Sequence, residues 1–195
     1  MIGFLSGCLS FLLFILYDLG QAGLVMTNWR GIARSFFLLG FLILTGCTAG
    51  LAWQQMIQLA AWEPKQMIAL FATAVFFVLL IYTLFFALPF EETYVTQTAG
   101  AKTYDRGMYA LCRHPGVLWF AGFYINLWLT LGGASLFWLA FWYSLFNVGY
   151  VILQDICTFP RIFVDYEQYK QRVPFLLPNY TSLKRCILTL RKAGA

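Results

Sequence analysis

Three short stretches hold most of the side chains in this sequence that could do chemistry. Arg113, His114 and Pro115 stand together at the head of an apolar run, and His114 is the single histidine among 195 residues. Gln154 and Asp155 follow the end of the same apolar block, and Tyr166 and Tyr169 come soon after, in VDYEQYKQRVP. The residue before a proline is pushed out of the α region, and proline suits the first position of a helix. Arg113 and His114 are therefore expected at a helix N-terminus, where free N–H groups and the helix dipole attract an anion. Positive side chains there do not favour the helix by themselves; a bound anionic group accounts for them. A basic residue flanking a membrane span is also an ordinary topology signal. Tyr166 and Tyr169, at i and i+3, share one face of a helix that Pro174 ends. That face either lies at a membrane interface or walls a pocket for a flat ring or a sulfonium.

The elements that must position these groups are apolar. The chain is 61% hydrophobic, 19% aromatic and 11% charged, where an ordinary soluble domain carries roughly 25% charged residues. This is the composition of an all-α, polytopic membrane bundle. A helix needs about 20 apolar residues to cross the hydrocarbon layer. Residues 2–25, 35–55 and 66–89 each supply such a run. The first lacks a basic n-region and a small-residue cleavage site, so it is expected to be a retained span and not a signal peptide. The block 116–153 is too long for one span, and LGGAS at 131–135 breaks it into a helical hairpin, 116–130 and 134–153. The expectation is about five spans, plus an amphipathic helix on the cytosolic side. One membrane domain covers 1–195: three N-terminal spans in 1–89, a polar core around the hairpin in 90–178, and a basic tail in 179–195.

With five spans, twelve of the thirteen Lys and Arg fall on one side, Lys65 being the exception. The positive-inside rule then puts that side in the cytoplasm and the N-terminus outside. The net charge of +5 is accounted for by topology, with no need of nucleic acid. Trp29, Trp53 and Trp62 stand at span ends, as interfacial belts do. The spacings GFLSG (3–7) and GCTAG (46–50) suggest close helix packing. Five scattered cysteines, no CxxC and one histidine leave no zinc constellation, so no metal site is expected and the thiols are taken as reduced and structural. Closing the hairpin brings residue 115 and residue 153 to the same end of the bundle. Arg113 and His114 should then face Gln154 and Asp155.

With these segments side by side, the chain resembles the integral-membrane methyltransferases related to isoprenylcysteine carboxyl methyltransferase and phospholipid N-methyltransferase. The first shared element, G-x-Y-x-x-x-R-H-P, is complete here as Gly107, Tyr109, Arg113, His114 and Pro115. An acidic pair falls on Gln154 and Asp155, and the tail element Y-x-x-Y-x-x-x-V-P on Tyr166, Tyr169, Val173 and Pro174, with Pro178 beyond. The resemblance covers about residues 90–178. It implies S-adenosylmethionine bound on the cytosolic side by Gly107, Tyr109, Arg113, His114, Pro115, Gln154, Asp155, Tyr166 and Tyr169. It also implies a lipid or lipidated acceptor that enters from the bilayer. Val117, Trp119, Gln154 and Phe175 depart from the family pattern, and they bear on the acceptor more than on the cofactor.

Methyl transfer from a sulfonium needs in-line positioning and a dry cavity. A carboxylate acceptor is already ionised, and Arg113 or Arg172 could pair with it. An amine acceptor must lose a proton, which Asp155, Glu91 or Glu92 could take. Arg113, Asp155 and Arg172 are thus the candidate catalytic residues. Asp155 could equally bind the cofactor's amino or hydroxyl groups, or orient Arg113. Asp18, late in the first span, is costly there; it either reaches this site or snorkels to the interface. Two rival readings stand beside the methyltransferase. An NADPH-dependent membrane reductase of the sterol or enone type shares a similar C-terminal pattern, but its RHP is followed by Asn-Tyr, which RHPGV lacks. A non-catalytic membrane scaffold would leave the polar segments without a purpose. The tail from 180 on, basic and apolar by turns, fits contact with anionic lipid.

Overall fold

The computed structural model describes residues 1–23, 30–59, 61–87 and 102–193. Trp29, Glu91 and Glu92 lie outside the described residues. Among the described residues the fold is all-helical: α1 (Ile2–Gln21), α2 (Arg30–Met56), α3 (Pro64–Phe85), α4 (Met108–Leu111), α5 (Pro115–Leu131), α6 (Ala134–Leu153), α7 (Phe159–Ile162), α8 (Tyr166–Arg172) and α9 (Tyr180–Ala193). A single π-helical turn, Gln154–Thr158, joins α6 to α7.

Among the described residues four helical stretches are long and apolar enough to cross a bilayer: Ile2–Gln21, Arg34–Met56, Pro64–Phe85 and Ala134–Ile162. The fifth expected span, α5, is apolar but has 17 residues, about 25 Å at 1.5 Å per residue. That is shorter than the hydrocarbon layer of about 30 Å. Large side chains such as Leu38, Ile68, Phe71 and Val78 stand exposed along α2 and α3. In water these surfaces would be an aggregation hazard; against lipid tails they are at no disadvantage.

Because lipid is as apolar as leucine, helix association in a bilayer depends on close packing and interhelical hydrogen bonds. Both are present. α1 packs between α2 and α6, α3 lies along α5, α5 lies against α6, and α4 rests on α9. Gly3 and Gly7 let α1 approach α6: a Cβ on Gly3 would stand 3.0 Å from the Leu139 Cα, and one on Gly7 2.7 Å from the Phe146 ring. The GFLSG expectation thus holds. The GCTAG expectation does not, because Gly46 and Gly50 meet nothing within 4 Å. The packed face of α2 runs instead through Gly40, Leu44, Cys47, Thr48 and Leu51, about 120° around the helix from those glycines. Hydrogen bonds between Ser6 and Tyr143 (2.9 Å), Thr48 and Tyr124 (2.8 Å), and Thr73 and Thr130 (3.4 Å) tie α1 to α6, α2 to α5 and α3 to α5. Such pairs are worth about 0.6 kcal/mol each on average. Phe11, Phe14, Leu44, Tyr124, Leu136, Leu139, Ala140 and Tyr143 form the main core between them.

The hairpin turn falls where expected. Gly132 and Gly133 both have positive φ, 74° and 83°, a conformation that side chains with a Cβ adopt at a cost. Gly133 also lies against the Gln55 side-chain amide at the end of α2, with no room for a Cβ. The turn therefore requires glycine at Gly133 for its positive φ, the Gln55 amide being the far end of a flexible side chain that a Cβ would displace. Trp53 and Trp62 are exposed at the ends of α2 and α3, and Pro64 starts α3 behind a capping box made by Glu63 and Gln66.

Candidate functional site

The site forms where the hairpin closes. Arg113 is held in a short extended link between α4 and α5, with its backbone N–H bonded to the Pro174 carbonyl at 2.9 Å. His114 caps α5 with φ −127° and ψ 62°, outside the α region as its neighbour Pro115 requires. The π-helical turn carries Asp155 to the same place from the far end of α6. A π turn inserts an extra residue into the helical register and is common at functional sites. Here it lets two consecutive side chains serve different helices.

Asp155 is the hub. Arg113 Nη1 donates to both carboxylate oxygens at 2.6 Å. The Tyr166 hydroxyl donates to Oδ1 at 2.6 Å, and His114 Nε2 lies 3.2 Å from the same oxygen. Burial pushes the His114 imidazole below its ordinary value, and Arg113 adds to that push; the pull of Asp155 the other way is the weaker effect. His114 is thus neutral at pH 7, and its Nε2–H is the donor, since an ionised carboxylate only accepts. Phe159 stacks on the imidazole at 5.7 Å between ring centres, and Phe175 meets it edge-on while standing 5.2 Å from the Arg113 guanidinium carbon. The Arg113 and Asp155 side chains are each 11% exposed, so this ion pair is desolvated and depends on its hydrogen bonds.

The sequence expectation placed Arg113 and His114 opposite Gln154 and Asp155. Asp155 is there; Gln154 is not. Gln154 turns toward α1, where its Nε2 donates to Asp18 Oδ2 at 2.7 Å. Asp18 is 6% exposed and does not snorkel; it sits one residue's reach behind the hub. The anion that Arg113 and His114 were expected to accompany is, in this structure, the chain's own Asp155, held by their side chains.

Gly107, Tyr109, Pro115 and Tyr169 brace the hub from behind. Gly107 has φ +57°, and its N–H donates to Thr189 Oγ1 at 2.9 Å, docking α9. The Tyr169 hydroxyl donates to the Tyr109 carbonyl at 2.8 Å, and the Tyr109 hydroxyl to the Thr83 carbonyl at 3.2 Å. Burial pushes the pKa of the Tyr166 and Tyr169 hydroxyls well above the ordinary value, with the Asp155 charge adding to Tyr166, so both remain donors. Arg172 is set apart: it is half-exposed at the end of α8 and pairs with Asp105 at 3.3 Å. Cys112 is wholly buried, and burial pushes its thiol up to about 12, which makes it a core residue and not a nucleophile.

Two contacts were not foreseen. Asp165 accepts from the Thr103 N–H at 2.7 Å and the Thr103 hydroxyl at 3.0 Å, which pins the approach to Gly107 onto the start of α8. Phe159 stacks on His114; its position just before Pro160 in the polar segment was the available signal. Among the described residues no group of His, Cys, Asp and Glu could hold a metal ion. The orphans are telling: Arg113 Nε and Thr158 Oγ1 are buried beside the hub and have no hydrogen-bond partner. No family model matches this chain, and neither a curated protein nor a solved structure does.

Proposed function

We propose that this chain is a membrane-embedded, S-adenosylmethionine-dependent methyltransferase that acts on a lipophilic acceptor. The observation that carries the reading is the hub. Two polar segments some 40 residues apart in sequence meet around one carboxylate, and the arginine there keeps a buried N–H, Nε, without an acceptor. A buried unsatisfied donor costs about 1–3 kcal/mol, and the carboxylate end of an amino-acid-like ligand would satisfy it. The cofactor supplies an electrophilic methyl group on a sulfonium. Arg113 would hold its carboxylate, while Asp155 fixes Arg113, and His114 and Tyr166 fix Asp155. The aromatic rings of Phe159 and Phe175 flank the imidazole and guanidinium and suit a cationic or planar group.

Asp155 accepts from three partners, which makes it a poor base. That favours an acceptor already ionised, a carboxylate on a lipidated molecule, over an amine that must first lose a proton. In this reading α5 is the fifth span, shortened because its N-terminus opens into the site, the hub faces the cytosol and the N-terminus lies outside.

The test is ligand binding by the detergent-purified chain. S-adenosylhomocysteine, S-adenosylmethionine and NADPH are titrated separately by calorimetry. The expected result is saturable binding of S-adenosylhomocysteine that Arg113→Met abolishes while the protein still unfolds cooperatively. Binding of NADPH alone would assign a reductase, and binding of none of the three would leave a scaffold; either refutes the proposal.

A further inference from the structure

We infer that α9 is a lipid-sensing element: its outer face docks on an anionic bilayer surface. This stands independently of the methyltransferase reading. The helix has two faces with different fates. Ser182, Cys186 and Leu190 turn inward, where Cys186 and Leu190 pack on Ala110 and Leu111 of α4. Tyr180, Leu183, Ile187 and Leu188, at i, i+3, i+7 and i+8, form the opposite face and are 81%, 47%, 46% and 51% exposed. They line a shallow groove of about 210 Å³ with Lys184 among them.

The occupant follows from charge and position. YTSLKRCILTLRKA contains four Lys and Arg and no acidic residue. An apolar stripe flanked by basic side chains on a short helix is the pattern of an interfacial helix. Position agrees. Gly107, just before α4, bonds Thr189 of α9, and α4 ends at Leu111, four residues before Pro115 opens the apolar helix α5. α9 is thereby fixed at the level where the bundle meets the bilayer boundary. A lipid surface with negative headgroups takes both the apolar stripe and Lys184, which lines the same groove. Each Lys or Arg near such a surface contributes about fivefold to the binding equilibrium.

Amide hydrogen exchange over residues 180–190 tests this in the full-length protein, embedded in nanodiscs of phosphatidylcholine alone or mixed with phosphatidylserine. Exchange over residues 108–111 reports whether α4 and α9 remain packed. The expected result is slower exchange of α9 in the anionic discs, with the extra protection removed by high salt in the unmodified protein. Lys184→Gln should reduce that extra protection about fivefold, and Leu188→Asp should abolish it, with residues 108–111 unchanged in both. Equal exchange in neutral and anionic discs overturns the inference. So does protection that depends on two copies per disc and not on lipid charge, which would assign the face to a second copy.

Discussion

The desolvated pair at the hub lends itself to a double-mutant cycle. Asp155→Ala leaves Arg113 Nη1, the His114 Nε2–H and the Tyr166 hydroxyl pointing at an empty site, with a guanidinium 11% exposed and no counter-charge. Breaking a buried pair from one side costs about 3–5 kcal/mol. Arg113→Ala strands the carboxylate in the same way and should cost about as much. The double variant removes both charges, so its cost should be close to either single one. The coupling energy is then about 3–5 kcal/mol, at or above the upper end of the range for residues in contact. Tyr166→Phe removes one hydrogen bond to a charged group, worth about 1.5–3 kcal/mol. The assay is reversible unfolding in mixed detergent micelles, titrated with a denaturing detergent and followed by circular dichroism. If the two single costs add to within about 0.5 kcal/mol in the double variant, the side chains act independently. The hub would then not be a coupled unit, and the reasoning would fail.

Three further outcomes are expected. Because folding lowers the His114 proton affinity, the native state binds fewer protons than the unfolded state. Stability should therefore fall as pH drops below about 6.5, by at most about 1.4 kcal/mol per pH unit. Thermal unfolding of His114→Gln across that window should show a flatter profile; an unchanged slope would mean another group titrates. Gly133→Ala should destabilise by at least about 1–2 kcal/mol from its positive φ alone, whereas Gly50→Ala, in open space, should be neutral or stabilise by up to about 1 kcal/mol; the same unfolding assay compares them. In a timed maleimide reaction read by intact mass, buried Cys112 should label only on unfolding. Labelling of native Cys112 would contradict its burial.

Hydrophobic runs and turn residues were enough to place α1, α2, α3, α5 and α6, but not the short helices α4 and α7 or the tail helix α9. The observed ends of α5 and α6 fall within a residue or so of those read from LGGAS and from the proline, because two adjacent glycines and an X-Pro step each act on the backbone locally. The meeting of Arg113 and His114 with Asp155 was legible too, since a hairpin forces its two ends together. The direction of Gln154 was not. It depends on the π turn, and no residue type in QDICT announces an extra residue in a helical turn. The small-residue spacings split for a similar reason. Gly3 and Gly7 face α6 while Gly46 and Gly50 face outward, and spacing alone does not say which side of a helix its neighbours occupy. Arg172 lies near the hub in sequence yet points to Asp105, a choice made by the short loop before Gly107.

The bond between Asp18 and Gln154 has a consequence for how the protein is made. Its partners are 136 residues apart. At translation rates of about 5–20 residues per second, α1 is in the translocation machinery for several seconds before Gln154 exists. During that interval the aspartate has no permanent partner. Its place near the end of α1, two residues before Gly20, keeps the penalty of early insertion low by leaving the carboxylate within reach of headgroup water. Only when α6 arrives is that water exchanged for an amide. The first helix is thus admitted on provisional terms, and its seat is made final by one of the later helices to be synthesised.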